Sequence, residues 1–395
     1  MTMRAKVILK EKATSKIIKG FLWVYSNEIE KVDGDFSPGD IVDLYDQNRS
    51  FIGRGYFNPL SKIAIRILTR RDEEINRNFF KNAIVKAWEY RKRVVNGSSC
   101  RVVFSEADFL PGLIVDKFGE VLVIQTLTLG MERFKETIAD VLSEVLQPMG
   151  IYERNDATVR EVEGLPKIKG FLRGKAQTLL EIEENGLRIL VDVENGQKTG
   201  YFLDQRENRK ALEGLVDEAE VLDVFCYTAS FALHAIRFGA KRVVAVDSSA
   251  SALELAKNNA ELNGFSNRVE LIEENAFDTL RRFQKEGRKF DVVIIDPPSF
   301  AKSQKSLEGA IRGYKEINLR AMKLIRDGGF LITCSCSHHI TPELFKEIIS
   351  SASSDANRIL KLIEFRHQAK DHPVLLPHPE TLYLKCGIYQ VLKKP

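Results

Sequence analysis

The sequence has no run of apolar residues approaching the roughly 20 needed to cross a bilayer. Its opening stretch, MTMRAKVILKEKATSK, lacks the apolar centre of a secretory signal, so the chain reads as cytoplasmic. Cysteine is scarce: Cys100, Cys226, Cys334, Cys336 and Cys386 are an odd number spread along 395 residues, which excludes a disulfide framework. No CxxC pair occurs. Cys334 and Cys336 stand one residue apart with His338 and His339 behind them, a spacing that does not match a zinc site, and no metal is expected. GxGxxG and other glycine-rich phosphate cradles are also missing, which argues against a dinucleotide. Neither sign of charge dominates: 59 Lys and Arg against 55 Asp and Glu leave a net charge of +4. Bulk charge therefore identifies no partner.

The length implies two or three domains. Residues 1–68 carry short β-type segments (VILK, IVDLYD, FIGRGYFN, IAIRILT) separated by Gly, Pro, Asp and Asn, which predicts a small barrel without chemistry of its own. Residues 69–178 read as an α+β region. A helix is expected over 72–96, with acids early and bases late, and another over MERFKETIADVLSEVL. RVVFSEADFLPGLIVDKFG and EVLVIQTLT read as two extended runs, and IYERND and VREVEGL as further strand-like pieces. Basic residues cluster at Lys62, Arg66, Arg70 and Arg71, and again at Lys86, Arg91, Lys92, Arg93 and Arg101, as a phosphate backbone would require. Residues 179–395 alternate nearly continuous apolar strands (EVLDVFC, RVVAVD, RVELIEE, FDVVIID, GFLITCSC) with helical stretches. That is the pattern of a doubly wound, parallel α/β sheet.

In such a sheet, ligands bind beyond the carboxyl ends of the strands. The first strand runs out into Asp223-Val224-Phe225-Cys226-Tyr227-Thr228-Ala229-Ser230. The second ends in Asp247, an acid suited to both ribose hydroxyls of a nucleoside that carries no phosphate; S-adenosylmethionine is such a ligand. The fourth ends in Asp296-Pro297-Pro298-Ser299-Phe300. The prolines stiffen that loop and remove donors, leaving Asp296 and Phe300 to meet a nucleobase. The fifth ends in Thr333-Cys334-Ser335-Cys336-Ser337. A cytosine C5 is too weak a nucleophile to take a methyl group directly, whereas a thiolate adding at C6 makes it enamine-like. Cys336, at the open end of the strand, suits that role; Cys334 lies deeper and reads as a buried core residue.

At this point the sequence resembles, over nearly its whole length, the RlmI-type large-subunit ribosomal RNA 5-methylcytosine methyltransferases. The likeness rests on FSEADFLPGLIVDKFG, IYERND with VREVEGL, NGQKTGYFLDQRENR, DVFCYTASF, FDVVIIDPPSF, RGYKEINLRAM, TCSCS and DHPVLLPHPETLYLK. It implies an N-terminal PUA barrel, a central α+β domain and a C-terminal Rossmann-like methyltransferase domain. It further implies that Phe202, Asp204, Gln205 and Arg206 line the cofactor pocket with Asp223, Phe225, Tyr227, Thr228, Asp247 and Asn275. On this resemblance Asp296, Pro297, Pro298 and Phe300 face the target base, with Asp296 also against the cofactor, and Cys336 is the nucleophile. Two departures stand out. Ala229-Ser230 replaces one or two glycines after Tyr-Thr, and Asn275 stands where an acid is usual.

The expected activity is transfer of a methyl group from S-adenosylmethionine to cytosine C5 of large-subunit ribosomal RNA, with Cys336 and Asp296 catalytic. Two alternatives remain open: methylation of a guanine nitrogen in ribosomal RNA, by relatives without a cysteine at the position of Cys336, and a non-catalytic RNA-binding assembly factor. No membrane partner is expected, and an apolar face on the barrel would suit a homodimer.

Overall fold

The computed structural model describes residues 4–301 and 306–394. The chain divides into two compact units. One contains residues up to Ile182 together with Val191–Leu203 and Lys370–Thr381; the other contains Glu183–Leu190, Asp204–Ala369 and the segment from Leu382 onward.

The first unit holds two sheets. Strands β1 (Lys6–Leu9), β2 (Trp23–Tyr25), β3 (Ile29–Asp33), β4 (Ile41–Tyr45), β5 (Phe51–Phe57) and β6 (Ile63–Thr69) form a six-stranded sheet in the order β2-β6-β5-β4-β1-β3. Val7 and Leu9, Val42 and Leu44, and Ile65 and Ile67 alternate inward at period two and build its core. Gly55 has a steric reason: a Cβ there would lie 2.2 Å from the Arg66 carbonyl oxygen of the adjacent strand. The helix Glu11–Ile18, which the sequence reading missed, buries only Ala13 and Ile17, a four-residue spacing too sparse to register as a stripe.

Strands β7 (Cys100–Phe104), β8 (Leu113–Phe118), β9 (Val121–Thr126), β10 (Gly150–Asn155) and β11 (Ile168–Gly174) make the second sheet, in the order β11-β10-β9-β8-β7. The helices Arg77–Val94 and Lys135–Leu146 share its core through Phe80, Ile84, Ile138 and Leu142. Three expectations fail here. The helix expected over 72–96 begins only at Arg77, capped by the Asn76 side chain, so the acids at 72–74 precede it and do not complement its dipole. The next helix is broken at Phe134 into Leu129–Arg133 and Lys135–Leu146. VREVEGL is not extended: Val159–Val162 is a helical turn whose Arg160 is fully buried.

The basic clusters are also only partly available for RNA. Arg66 is buried against Glu163 at 3.0 Å, Arg91 is buried and forks onto Asp108, and Arg101 forks onto Asp116 at 2.7 and 2.8 Å. Those three are structural, because a buried guanidinium needs a bidentate acid. Lys62, Arg70, Arg71, Lys86, Lys92 and Arg93 are exposed.

A hairpin, β12 (Leu179–Glu184) with β13 (Leu187–Asp192), contributes residues to both units. The second unit is built on β14 (Glu220–Val224), β15 (Arg242–Asp247), β16 (Val269–Glu273), β17 (Phe290–Ile295), β18 (Ile325–Ser335), β19 (Arg358–Arg366) and β20 (Lys385–Lys393). Their order is β16-β15-β14-β17-β18-β20-β19. The first five are parallel as expected; β20 runs antiparallel to both β18 and β19, an edge the sequence reading did not foresee. Strand order reverses at β14, so the crevice beyond β14 and its neighbours is the ligand position of this architecture.

Candidate active site

The turn after β14 is conformationally unusual. Phe225, Tyr227 and Ala229 all have left-handed φ, at 65°, 51° and 61°, three non-glycine residues within five. Each costs about 1–2 kcal/mol relative to an ordinary conformation, and such strain concentrates where a backbone must meet a ligand. Ala229 occupies the position where the resembled family has glycine, and its backbone adopts the conformation that glycine takes freely.

Asp223 is fully buried beneath this turn. One carboxyl oxygen accepts the Ala232 N–H at 3.0 Å, while the other has no hydrogen-bond partner among the described residues. Burial first, and then the neighbouring Asp296 carboxylate, push its pKa up to about 8. A buried polar atom without a partner calls for a ligand that supplies one. The linkage runs against stability at neutral pH. With the native value raised above 3.8, the contribution is complete below that value and is lost as pH rises through about 8. Asp223→Asn is therefore expected to gain thermal stability over wild type progressively between these limits, by about 1–3 kcal/mol at the upper end, while losing cofactor affinity. Melting curves across pH, with cofactor titrations, check both.

Asp247, at the end of β15, accepts the N–H groups of Tyr227 and Ser249, both at 2.9 Å. Each carboxylate oxygen keeps acceptor capacity for a ribose hydroxyl, and the same bonds tie the carboxylate to the turn after β14. Asn275 is exposed and caps the helix Ala276–Lys285 by accepting the Phe277 N–H at 2.9 Å. Thr228 is buried, with its hydroxyl 3.3 Å from that of Ser230.

Asp204, Gln205 and Arg206 lie in the second unit, and Phe202 belongs to the first, where Lys198 Nζ stands 4.5 Å from its ring centroid. Asp204 is buried and accepts the Tyr383 hydroxyl at 2.5 Å. Gln205 accepts from Asn208 at 2.7 Å, and Asn208 is held in turn by the His367 carbonyl. The short helix Arg206–Lys210 is anchored by buried Arg209, which forks onto buried Glu184 at 2.6 and 3.1 Å. Buried His234 completes this support, donating from Nδ1 to the Ser230 carbonyl at 2.7 Å.

On the other side of β14, the loop Asp296–Phe300 leaves β17 with Asp296 half-buried, Pro297 buried and Pro298 exposed. The Phe300 ring packs on Tyr314 at 4.8 Å between centroids and lies over Gly313, where a Cβ would meet it at 3.2 Å. Cys336 follows β18 directly, and its Sγ is 4.0 Å from the Pro297 carbonyl oxygen. Of the five cysteines it alone is not buried. Cys334 is fully buried and pairs in register with Cys386; the hydrogen bond to Cys386, together with burial, holds its pKa well above the usual thiol range. The strand thus presents one thiol to the crevice and keeps the other inert.

Three further residues at this point escaped the sequence reading. Ser337 is fully buried and joins the two loops: its hydroxyl lies 2.9 Å from that of Tyr314 and 3.0 Å from that of Ser299, and accepts the Ala301 N–H at 3.3 Å. Tyr314, on the helix Leu307–Leu324, is pushed by burial up to about 12 and stays neutral. Lys385, at the start of β20, donates to the carbonyls of Ser337 at 2.7 Å and Tyr383 at 2.8 Å. A serine and a lysine among ordinary flanking residues carry no signal until the strands are paired. Ser337→Ala is expected to lower turnover by roughly 10–100-fold, through the 1 Å class of misplacement that positioned groups do not tolerate, with cofactor affinity kept. Single-turnover kinetics separate the two.

A doubly wound sheet with a strained, phosphate-free turn, a strand-end acid and an Asp-Pro-Pro loop defines a nucleoside-cofactor transferase. The match is specific: residues 167–377 fit the S-adenosylmethionine-dependent methyltransferase family and residues 7–70 a PUA-like domain. The chain belongs to that methyltransferase family, and within it to the ribosomal RNA large subunit methyltransferase I group. It is 37% identical over 394 residues to the enzyme of that name from Alteromonas mediterranea, covering 98% of this chain and 99% of the relative. It is 38% identical over 389 residues to its namesake from Escherichia coli O139:H28, covering 97% and 98%. A solved methyltransferase, SMU.776 complexed with SAH, superposes with a TM-score of 0.85 over 98% of this chain and all of that one; at 21% identity the likeness concerns the fold. The residues fit S-adenosylmethionine: the unpartnered Asp223 oxygen awaits a donor, and Asp247 retains acceptor capacity. When bound, that cofactor supplies an electrophilic methyl group. No helix among the described residues is long and apolar enough to cross a membrane.

Proposed function

We propose that this methyltransferase forms 5-methylcytosine in large-subunit ribosomal RNA, with Cys336 as nucleophile. The observation that carries the reading is the position of Cys336. It is the one unburied thiol, at the carboxyl end of a parallel strand and beside the Asp296-Pro297 loop. The sulfur adds to cytosine C6 and forms a C–S bond, while Asp296 meets the amino edge by accepting its N–H and, when protonated, donates to N3. C5 then has the electron density to accept a methyl group. Loss of the C5 proton to a base returns the electron pair, breaks the C–S bond and expels the thiolate. A thiol there has no task in methylating a guanine nitrogen, which favours cytosine over guanine.

The names of the full-length relatives support ribosomal RNA as the substrate, and with it a cytoplasmic site of action. The first unit supports an RNA grip. An open groove of about 1070 Å³ is lined by Arg70, Arg71, Lys81 and Lys86, together with the acids Glu73 and Asp108. Contacts of that kind read backbone and shape, leaving the base to the catalytic crevice. The three-domain division at 68 and 178 belongs to the same proposal. The test is incubation with labelled cofactor and ribosomal RNA followed by nucleoside digestion and mass spectrometry. Label in 5-methylcytosine supports the reading; label in a methylguanine replaces it with the guanine alternative.

A further inference from the structure

Lys385 opens β20 directly opposite Ser335, the residue before Cys336. Its side chain is only 1% exposed, and two of its three ammonium protons go to the carbonyls of Ser337 and Tyr383. Among the described residues it forms no ion pair with a carboxylate. Burial lowers its pKa to about 8, and the nearby Cys336 acts in the opposite sense. A buried ammonium without a counter-anion costs several kcal/mol, so packing alone would favour an apolar side chain here. The position makes sense if the counter-anion is the catalytic sulfur.

We propose that Lys385 is a positioning residue that holds Cys336 as a thiolate at neutral pH. The inference rests on reading Cys336 as the nucleophile. The other titratable groups of this crevice act as follows. Asp296, on the loop after β17, opposes thiolate formation. Asp223, at the end of β14, carries its proton up to about pH 8 and so contributes little charge. Tyr314, from the helix Leu307–Leu324, is neutral and bonded to Ser337. Tyr383 spends its hydroxyl on Asp204, and His338, next along the chain, lies exposed with its ring 5.8 Å from that of Tyr383. Lys385 is the buried cation of the set.

The test needs no RNA. Alkylation of Cys336 by iodoacetamide is followed by peptide mass spectrometry across pH, the other four cysteines being buried. Cys336→Ala serves as the labelling control. Wild type should titrate at least about one unit below an ordinary thiol. Lys385→Met should move the midpoint up by about one unit or more, a roughly tenfold slower reaction at pH 7. Lys385→Gln keeps a donor for the two carbonyls and removes only the charge. It should shift the same way, while Lys385→Arg should retain the low midpoint. Overlapping profiles for wild type and both neutral variants, with unchanged folding by circular dichroism, overturn the ion pair. A shifted profile here, with methyl label in guanine in the ribosomal RNA assay above, would instead keep the ion pair and sink the nucleophile reading, so the two failures are distinguishable.

Discussion

Replacing Cys336 with alanine is expected to lower methyl transfer to RNA by at least about 10⁴-fold, the scale seen when a covalent nucleophile is removed. Cofactor binding should stay at the wild-type level. Both halves follow from geometry. The groups proposed to hold the cofactor sit on the β14 turn, the β15 end and the segment after Leu203, where Asp223, Asp247 and Asp204 are held by Ala232, Tyr227, Ser249 and Tyr383. The thiol lies just beyond the end of β18, across from the Pro297 carbonyl. Deleting it removes the covalent route, and C5 of cytosine has no other way to become nucleophilic. Cys336→Ser should be nearly as inactive, because an alkoxide is not available near neutral pH. Calorimetric titration with the cofactor and single-turnover methylation, on the same preparations, check the two halves. A Cys336→Ala protein with a tenth or more of wild-type turnover would reduce Cys336 to a pocket wall.

The second large effect concerns the buried support of the helix Arg206–Lys210. Arg209→Ala should destabilise the second unit by about 3–5 kcal/mol, because it leaves the Glu184 carboxylate buried without its bidentate partner. In melting temperature that is about 10 °C. Removing both charges, as in Arg209→Met with Glu184→Gln, should recover most of the loss, since the penalty lies in the uncompensated charge rather than in the missing bond.

The pH dependence has a definite sign. Burial holds His234 down at about 4, below its ordinary 6.5, so its contribution is complete above pH 6.5 and is lost as pH falls towards 4. Glu184 is held below its ordinary 4.5 by Arg209, His234 and Arg206, which outweigh its burial, so its contribution is lost at still lower pH. The gap between Arg209→Ala and wild type should therefore be widest at neutral pH and narrow in acid. Denaturant melts at several pH values read this directly, and a gap that widens in acid would contradict the assignment.

How much of this was legible beforehand differs by element. The strands β14 to β18 are nearly continuous apolar runs because helices cover both faces, so their ends, and with them Asp223, Asp247, Asp296 and Cys336, could be placed from sequence. β19 and β20 could not. Arg358–Arg366 alternates poorly and is largely exposed, and nothing local to Lys385–Lys393 announces that it inserts antiparallel beside β18. Lys385 was invisible for the same reason: its burial and its place opposite Ser335 are products of that pairing. The basic clusters misled in the opposite sense. Arg66, Arg91 and Arg101 look like phosphate contacts in sequence, yet their acids, Glu163, Asp108 and Asp116, stand up to 97 residues away. Asn275 entered the expected pocket only through the resemblance, and the fold gives its carbonyl a helix to cap.

The central claim is a covalent bond between Cys336 and a cytosine, and it can be trapped. Ribosomal RNA carrying 5-fluorocytidine offers no C5 proton to remove, so an adduct methylated at C5 cannot eliminate and the thioether persists. With cofactor present, wild type should form a protein–RNA complex that survives denaturation, and peptide sequencing should place the nucleotide on Cys336. Absence of that complex under conditions where ordinary RNA is methylated, or a nucleotide attached to a different residue, would contradict the mechanism.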